Sequence, residues 1–278
     1  MQAFDSLSRN IQQYIYDKGW PSLTRIQNAA IKQVANTDHN LILSAPTASG
    51  KTEAAFIPAL NSVEDWETGL KVLYISPLKA LINDQFQRIS ELSAYLDIPI
   101  TPWHGEVSQA QKKKVVNQPK GILLITPESI EGMLVNRPGK AQHLFKGVEW
   151  IIIDELHSFL GTERGVHLQS LLQRISQFMQ APRFIAMSAT LNKKDFGYAK
   201  AFFGSQRDTD ILVDRDKNDL LVTIDYTSGE AGPFVARESL AAIYQYSKTE
   251  TMLIFPNSRN RVEEITHKLD KMAKKENA

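Results

Sequence analysis

The chain contains no cysteine. Disulfides and thiolate-held metals are therefore excluded, and a reducing compartment suits it. No apolar run approaches the ~20 residues that span a bilayer. The opening MQAFDSLSRNIQQYIYDKG has no basic segment followed by an apolar core, so it does not read as a signal peptide. These absences predict a cytoplasmic protein that engages no membrane. Charge of either sign is also not in excess: 32 Lys and Arg stand against 31 Asp and Glu, a net +1. Any surface for a polyanion must then come from local placement of charge. There is no internal repeat and no low-complexity tract.

What remains is an ordinary globular composition, 42% hydrophobic and 23% charged over 278 residues. Five short apolar, β-branched runs stand out: Leu41–Leu43, Val72–Ser76, Ile122–Thr126, Trp150–Ile153 and Phe184–Met187. Each is apolar on both faces, as strands of a buried parallel sheet are. Helical patterns separate them. Leu168, Leu171, Leu172, Ile175 and Phe178 fall on one helix face. The alternation predicts a doubly wound, mainly parallel α/β sheet. Residues 1–205 are read as this first domain. The charged, Gly/Pro-containing stretch 206–235 is read as a linker, and 236–278 as the start of a second α/β unit. That start comprises a helix at Val235–Tyr246, a strand at Met252–Phe255 and a helix at Asn260–Lys271.

The first strand runs into Ala45-Pro46-Thr47-Ala48-Ser49-Gly50-Lys51-Thr52, and a helix follows. The pattern is a phosphate-binding loop with alanine in place of its usual first glycine. Backbone N–H groups of such a loop, backed by a helix N-terminus, wrap phosphate oxygens. Lys51 is expected to hold the β- and γ-phosphates of ATP, and the Thr52 hydroxyl to ligate Mg²⁺. A Ser/Gly turn before a lysine is the bland alternative. The run Trp150-Ile-Ile-Ile-Asp154-Glu155-Leu-His157 is a buried strand ending in two acids. Asp154 is placed to hold the Mg²⁺ and its water shell, and Glu155 to orient or deprotonate an attacking water. His157 is read either as a link from the γ-phosphate site to the rest of the molecule or as a structural histidine.

With these residues in place, the chain resembles superfamily 2 helicases of the DExH type. The motifs occur in the family's order: SLTRIQ (22–27), APTASGKT (45–52), SPLKALINDQ (76–85), TPESIEGML (126–134), DELH (154–157), Ser188-Ala-Thr190 and LIFPNSR (253–259). SPLKAL, WHGEV (103–107) and DELHSFLGTERGVHL (154–168) look most like the Large helicase-related (Lhr) group, with Ski2-type helicases as its close neighbours. The resemblance implies a RecA-like ATP-binding domain followed by the beginning of a second one. It implies that Gln27, with Arg25, contacts adenine. Thr47, Ala48, Ser49, Gly50, Lys51 and Thr52 hold the nucleotide. Ser188 and Thr190 couple hydrolysis to strand movement. Lys79, Thr126, Pro127 and Glu128, with Ser258 and Arg259 of the second unit, line a nucleic-acid strand, DNA being slightly favoured over RNA. Contacts of that kind go mostly to phosphate and sugar. Several of these residues also have plainer readings. Thr126-Pro127 can simply end a strand, Lys112–Lys114 can be a solvated helix face, and Trp103, His104 and Arg164 can serve packing or helix entry. The family's motifs V and VI, the latter with its arginine finger, are not found in these 278 residues. The expectation is a chain that binds ATP but turns it over slowly and does not unwind duplexes alone. A duplex translocase, or a clamp that closes on nucleic acid when ATP binds, would carry many of the same motifs. Glu155 favours a hydrolase over a pure clamp.

Overall fold

The computed structural model describes residues 3–204, 206–214, 235–249 and 251–276. Its first body is a seven-stranded parallel sheet with helices on both faces. The strands are β1 (Asn40–Ser44), β2 (Gly69–Ile75), β3 (Ile100–Trp103), β4 (Lys120–Ile125), β5 (Trp150–Ile153), β6 (Arg183–Ser188) and β7 (Thr209–Val213). They lie in the order β3-β4-β2-β5-β6-β1-β7. Around them run α1 (Arg9–Asp17), α2 (Arg25–Asn36), α3 (Lys51–Ser62), α4 (Lys79–Tyr95), α5 (Gln109–Asn117), α6 (Pro127–Asn136), α7 (Pro138–Phe145), α8 (Glu163–Ser176) and α9 (Phe196–Ala201).

Parallel strands need crossover connections, and the helices that supply them cover both faces of the sheet. Alternate side chains sort accordingly. Leu41 and Leu43 of β1 and Ile152 of β5 face the core shared with α1–α4. Ile42, Ile151 and Ile153 face the core shared with α6–α9. Of the predicted face, Leu168, Leu171, Leu172 and Ile175 form the buried face of α8, while Phe178 lies past the helix end and packs partly buried against the same core.

Two strands were not expected. β3 contains Pro102 and only half-buried residues. It pairs with β4 alone at the sheet edge, where a missing N–H is tolerated. β7 lies inside the stretch read as a linker. It adds to β1 at the other edge, Leu41 opposite Asp210 and Leu43 opposite Leu212. The first unit accordingly extends to Lys217, and the linker reading of 206–213 is corrected. Edge position explains the polar sequence of β7: only Thr209 of its five residues is buried.

The second unit, residues 218–278, contains α10 (Arg237–Thr249) and α11 (Arg259–Glu276). The two helices pack together, with Leu240 and Ile265 buried. Both helices were expected. The strand at Met252–Phe255 does not form, and Leu253 and Phe255 are 82% and 87% exposed. A lone apolar run has no ladder to join, and among the described residues no neighbour pairs with it.

Candidate active site

Apart from Arg25 and Gln27, which lie on α2 ahead of β1, the chemistry-bearing segments of the first unit follow the carboxyl ends of strands. Parallel register brings these ends to one edge: Ser44 lies opposite Ser188, and Ile75 lies opposite both Ile125 and Ile153. This edge is where open α/β sheets place their ligands. On one half lie the turns after β1, β5 and β6, and on the other those after β2, β3 and β4.

The turn after β1 is residues 45–50, and Lys51 opens α3. Gly50 has φ +83°, and a Cβ there would lie 2.5 Å from Gln27 Nε2. Glycine is thus needed for conformation, and a larger residue would in addition displace the Gln27 amide. Ala48 also takes the left-handed region, φ 63°. Lys51 Nζ donates to the carbonyls of Ala45 (2.6 Å) and Pro46 (2.7 Å). Burial pulls its ammonium pKa down, against the attraction of Glu155 and Asp154. Ser49 Oγ is buried without a partner. Thr47 and Ala48 are exposed at the crest, and Thr52 is buried in the first turn of α3.

Asp154 directly follows β5 and is buried. Its Oδ1 accepts the Glu155 N–H at 2.9 Å, and its Oδ2 accepts the Tyr74 hydroxyl of β2. Burial raises the Asp154 pKa, and the Tyr74 bond opposes the rise. Glu155 sits in the left-handed region, φ 48°. Burial and the neighbouring Asp154 raise its pKa, while His157 and Lys51 lower it. Its Oε2 makes no hydrogen bond but lies 3.2 Å from His157 Nδ1, an ion pair when the imidazole is charged.

His157 meets the turn after β6. Ser188 Oγ donates to the Thr190 carbonyl at 2.8 Å and lies 3.3 Å from His157 Nδ1. With its own proton committed, that hydroxyl can only accept one from the ring. The three residues expected to couple the site to movement are therefore joined.

Gln27 is buried and doubly engaged. Thr24 and Gln27 form a capping box at the start of α2, and Gln27 Nε2 donates to the Gly50 carbonyl at 3.4 Å. Thr24 Oγ1 reaches the Ser49 carbonyl at 3.2 Å. The helix expected to read adenine thus grips the phosphate loop. Arg25 is exposed on its first turn. Thr24 was not among the expected site residues, although T-x-x-Q before an apolar run is a readable capping signal.

On the other half of the edge, Lys79 begins α4 and pairs with Glu106. Thr126 caps α6 by accepting the Ser129 N–H, and Pro127 fills the first helical position. Glu128 receives Arg164 Nε at 2.9 Å and a terminal nitrogen at 2.6 Å, and the same nitrogen donates to the Pro77 carbonyl at 2.6 Å. Arg164 thus ties α8 to the turns after β2 and β4, and the Glu128 carboxylate faces an arginine. His104 is buried, with Nε2 on Asn83 Oδ1 at 3.0 Å and Nδ1 unpartnered. Lys112 lies 5.6 Å from the Trp103 ring centre. Ser258 and Arg259, in the second unit, are exposed at the start of α11, where Ser258 Oγ accepts the Arg261 N–H at 3.3 Å. The sequence reading also missed Tyr74, whose hydroxyl is hidden in an otherwise apolar run.

A parallel sheet with a phosphate loop after one strand, paired acids after a second and a Ser-x-Thr turn after a third defines a RecA-like P-loop motor domain. A family model described as DEAD/DEAH box helicase matches residues 24–196. The chain belongs to that family. Among curated proteins it is 31% identical to an ATP-dependent helicase Lhr-Core of Sulfolobus acidocaldarius, over 86% of this chain and 29% of that protein. The Saccharolobus solfataricus Lhr-Core is 30% identical, over 92% and 31% respectively. The chain thus spans about a third of the length of these relatives. Among solved structures, Mycobacterium smegmatis helicase Lhr bound to ssDNA and AMP-PNP superposes with TM-score 0.84 at 24% identity, over 100% of this chain and 37% of that one. The DUF1998 helicase MrfA superposes with TM-score 0.76 at 26% identity, over 98% and 42%.

Proposed function

We propose that this chain is the ATP-binding part of a motor that moves along nucleic acid, with DNA as the preferred track. The observation that carries the nucleotide assignment is the state of Lys51. Its ammonium is held by two carbonyls of a loop that also buries the unpartnered Ser49 hydroxyl, donors of the kind that phosphate oxygens take up. In the proposed reading Lys51 exchanges those carbonyls for β- and γ-phosphate oxygens, and Ser49, Gly50 and the α3 N-terminus bind the rest. Thr47 and Ala48 supply backbone at the loop crest, and Gln27 with Arg25 lies on the adenine side.

The donors also fit Mg²⁺. Thr52 and Asp154 offer oxygen ligands, and no cluster of three His, Asp or Glu able to hold a metal unaided occurs among the described residues. That suits an ion held largely through water and phosphate. When bound, Mg²⁺ neutralises charge that builds on the phosphates. Glu155 orients and deprotonates the attacking water, and burial with Asp154 alongside makes its carboxylate more basic than an ordinary one. His157, Ser188 and Thr190 carry the change outward. Within the first unit, Lys79 and the α6 N-terminus behind Thr126 and Pro127 follow the strand backbone, while Glu128 holds Arg164; Ser258 and Arg259, taken within the second unit alone, are proposed to contact nucleic acid as well. DNA is chosen because the M. smegmatis Lhr was solved with ssDNA, and MrfA has also been solved bound to DNA.

Binding of a fluorescent ATP analogue tests the nucleotide assignment directly. Lys51→Ala should weaken it more than tenfold, and equal affinity in the variant would sink the reading. Turnover by the chain alone is expected to be slow. Matched single-stranded DNA and RNA, added in competition, should favour DNA. A preference for RNA would reverse the choice of track and leave the nucleotide site standing.

A further inference from the structure

Tyr74 lies near the carboxyl end of β2 with no exposed surface. Its ring packs against Phe56 of α3, centroids 5.6 Å apart at 33°. Tyr74 is opposite Ile152 of β5. Side chains alternate along a strand, so Asp154, two residues on, shares that face. The Tyr74 hydroxyl donates to Asp154 Oδ2, and it is the only side-chain hydrogen bond to that carboxylate among the described residues. Oδ1 is held by the Glu155 N–H, so each oxygen is fixed once and keeps a lone pair free.

A phenylalanine would pack here as well, without a hydroxyl to satisfy. Burying a hydroxyl is unfavourable unless it is bonded, and this one is bonded to a carboxylate set at the nucleotide edge. Tyr74 also touches two parts of the motor and leads along the chain to a third. Its ring rests on the helix that starts at Lys51, its hydroxyl meets Asp154, and its own strand leads in five residues to Lys79.

We propose that Tyr74 is a positioning residue for the metal-facing carboxylate: by clamping Oδ2 it holds Asp154 in the orientation that receives the Mg²⁺ of the nucleotide. This rests on the assignment of Asp154 to a Mg²⁺–ATP site. Partners that orient a metal-facing carboxylate are typically worth 10–100-fold in metal affinity.

The test is nucleotide binding by the full 278-residue chain, measured with a fluorescent ATP analogue in excess Mg²⁺ and in EDTA. For Tyr74→Phe, affinity in EDTA should match the unsubstituted chain, and the gain on adding Mg²⁺ should fall about tenfold. Phe56→Leu, which loosens the ring contact but keeps the hydroxyl, should retain most of the gain. An unchanged Mg²⁺ gain in Tyr74→Phe overturns the proposal. Should that variant fail to fold, replacing the tyrosines with 3-fluorotyrosine gives a second measurement. The ¹⁹F signal of residue 74 should move on adding nucleotide with Mg²⁺ and stay put with nucleotide in EDTA. A signal indifferent to Mg²⁺ also overturns the proposal. If the unsubstituted chain binds no nucleotide, the site assignment fails first and takes this inference with it. A normal Mg²⁺ gain that survives loss of the hydroxyl removes the inference alone.

Discussion

At the scale of single residues, the phosphate loop is held by neighbours as much as by itself. Thr24 and Gln27 serve one capping box and also reach Ser49 and Gly50. Thr24→Ala removes the cap and one grip on the loop. It should cost about 1 kcal/mol of stability, read from the urea midpoint, and should also weaken nucleotide binding. A stability loss with affinity untouched would reduce Thr24 to a cap. The acids and the lysine of the loop were legible because ligand chemistry leaves charged residues right after apolar strands. Tyr74 was not legible. A single aromatic in an apolar run reads as core, and only the register of β2 against β5 reveals that its hydroxyl meets Asp154.

At the scale of elements, α6 and α8 are joined by charge. Glu131 accepts both terminal nitrogens of Arg174 and lies 2.9 Å from His167 Nε2. One turn away, Glu128 holds Arg164. The Arg174 and His167 hydrogen bonds lower the Glu131 pKa from 4.5 to about 2. Because the folded-state value is depressed, its stabilisation is full above pH 4.5 and is lost as pH falls towards 2. Glu131→Gln should therefore lower the thermal midpoint at neutral pH. The gap to the unsubstituted chain should close through that acid window, and a gap constant with pH would assign the effect to packing. These pairings were invisible in the sequence, since Glu131 and Arg174 lie on helices joined only by the fold. The helices themselves were legible, and so were the five central strands, because burial on both faces writes continuous apolar runs. β3 and β7 escaped because an edge strand need not be apolar on both faces: Pro102 is tolerated where one side lacks a partner strand, and Asp210 because its carboxylate meets Gln33 and His39.

At the scale of the whole molecule, the sheet is complete only with β7. Asp214 N donates to the Ser44 carbonyl at 2.8 Å, closing the edge directly beside the phosphate loop. A chain ended after Lys217 should keep the first unit's unfolding transition and its nucleotide affinity. One ended after Gln206 should lose about 3 kcal/mol or more, on the order of 10 °C at this size, and bind nucleotide poorly. Equal melting of the two would show that β7 is dispensable. The boundary was misplaced in the sequence because a charged stretch looks like a linker until its partner strand is known.

The strand order also dictates a timetable. β1 is the first strand made, yet both its neighbours, β6 and β7, come last. Roughly 140 residues must leave the ribosome between Ser44 and the start of β6, a delay on the order of ten seconds or more. β2 and β4 can pair well before then. A nascent chain halted before Arg183 should thus carry the whole phosphate-loop sequence and still ignore nucleotide, so the emergence of β6 and β7 marks when the newborn motor can first be fuelled.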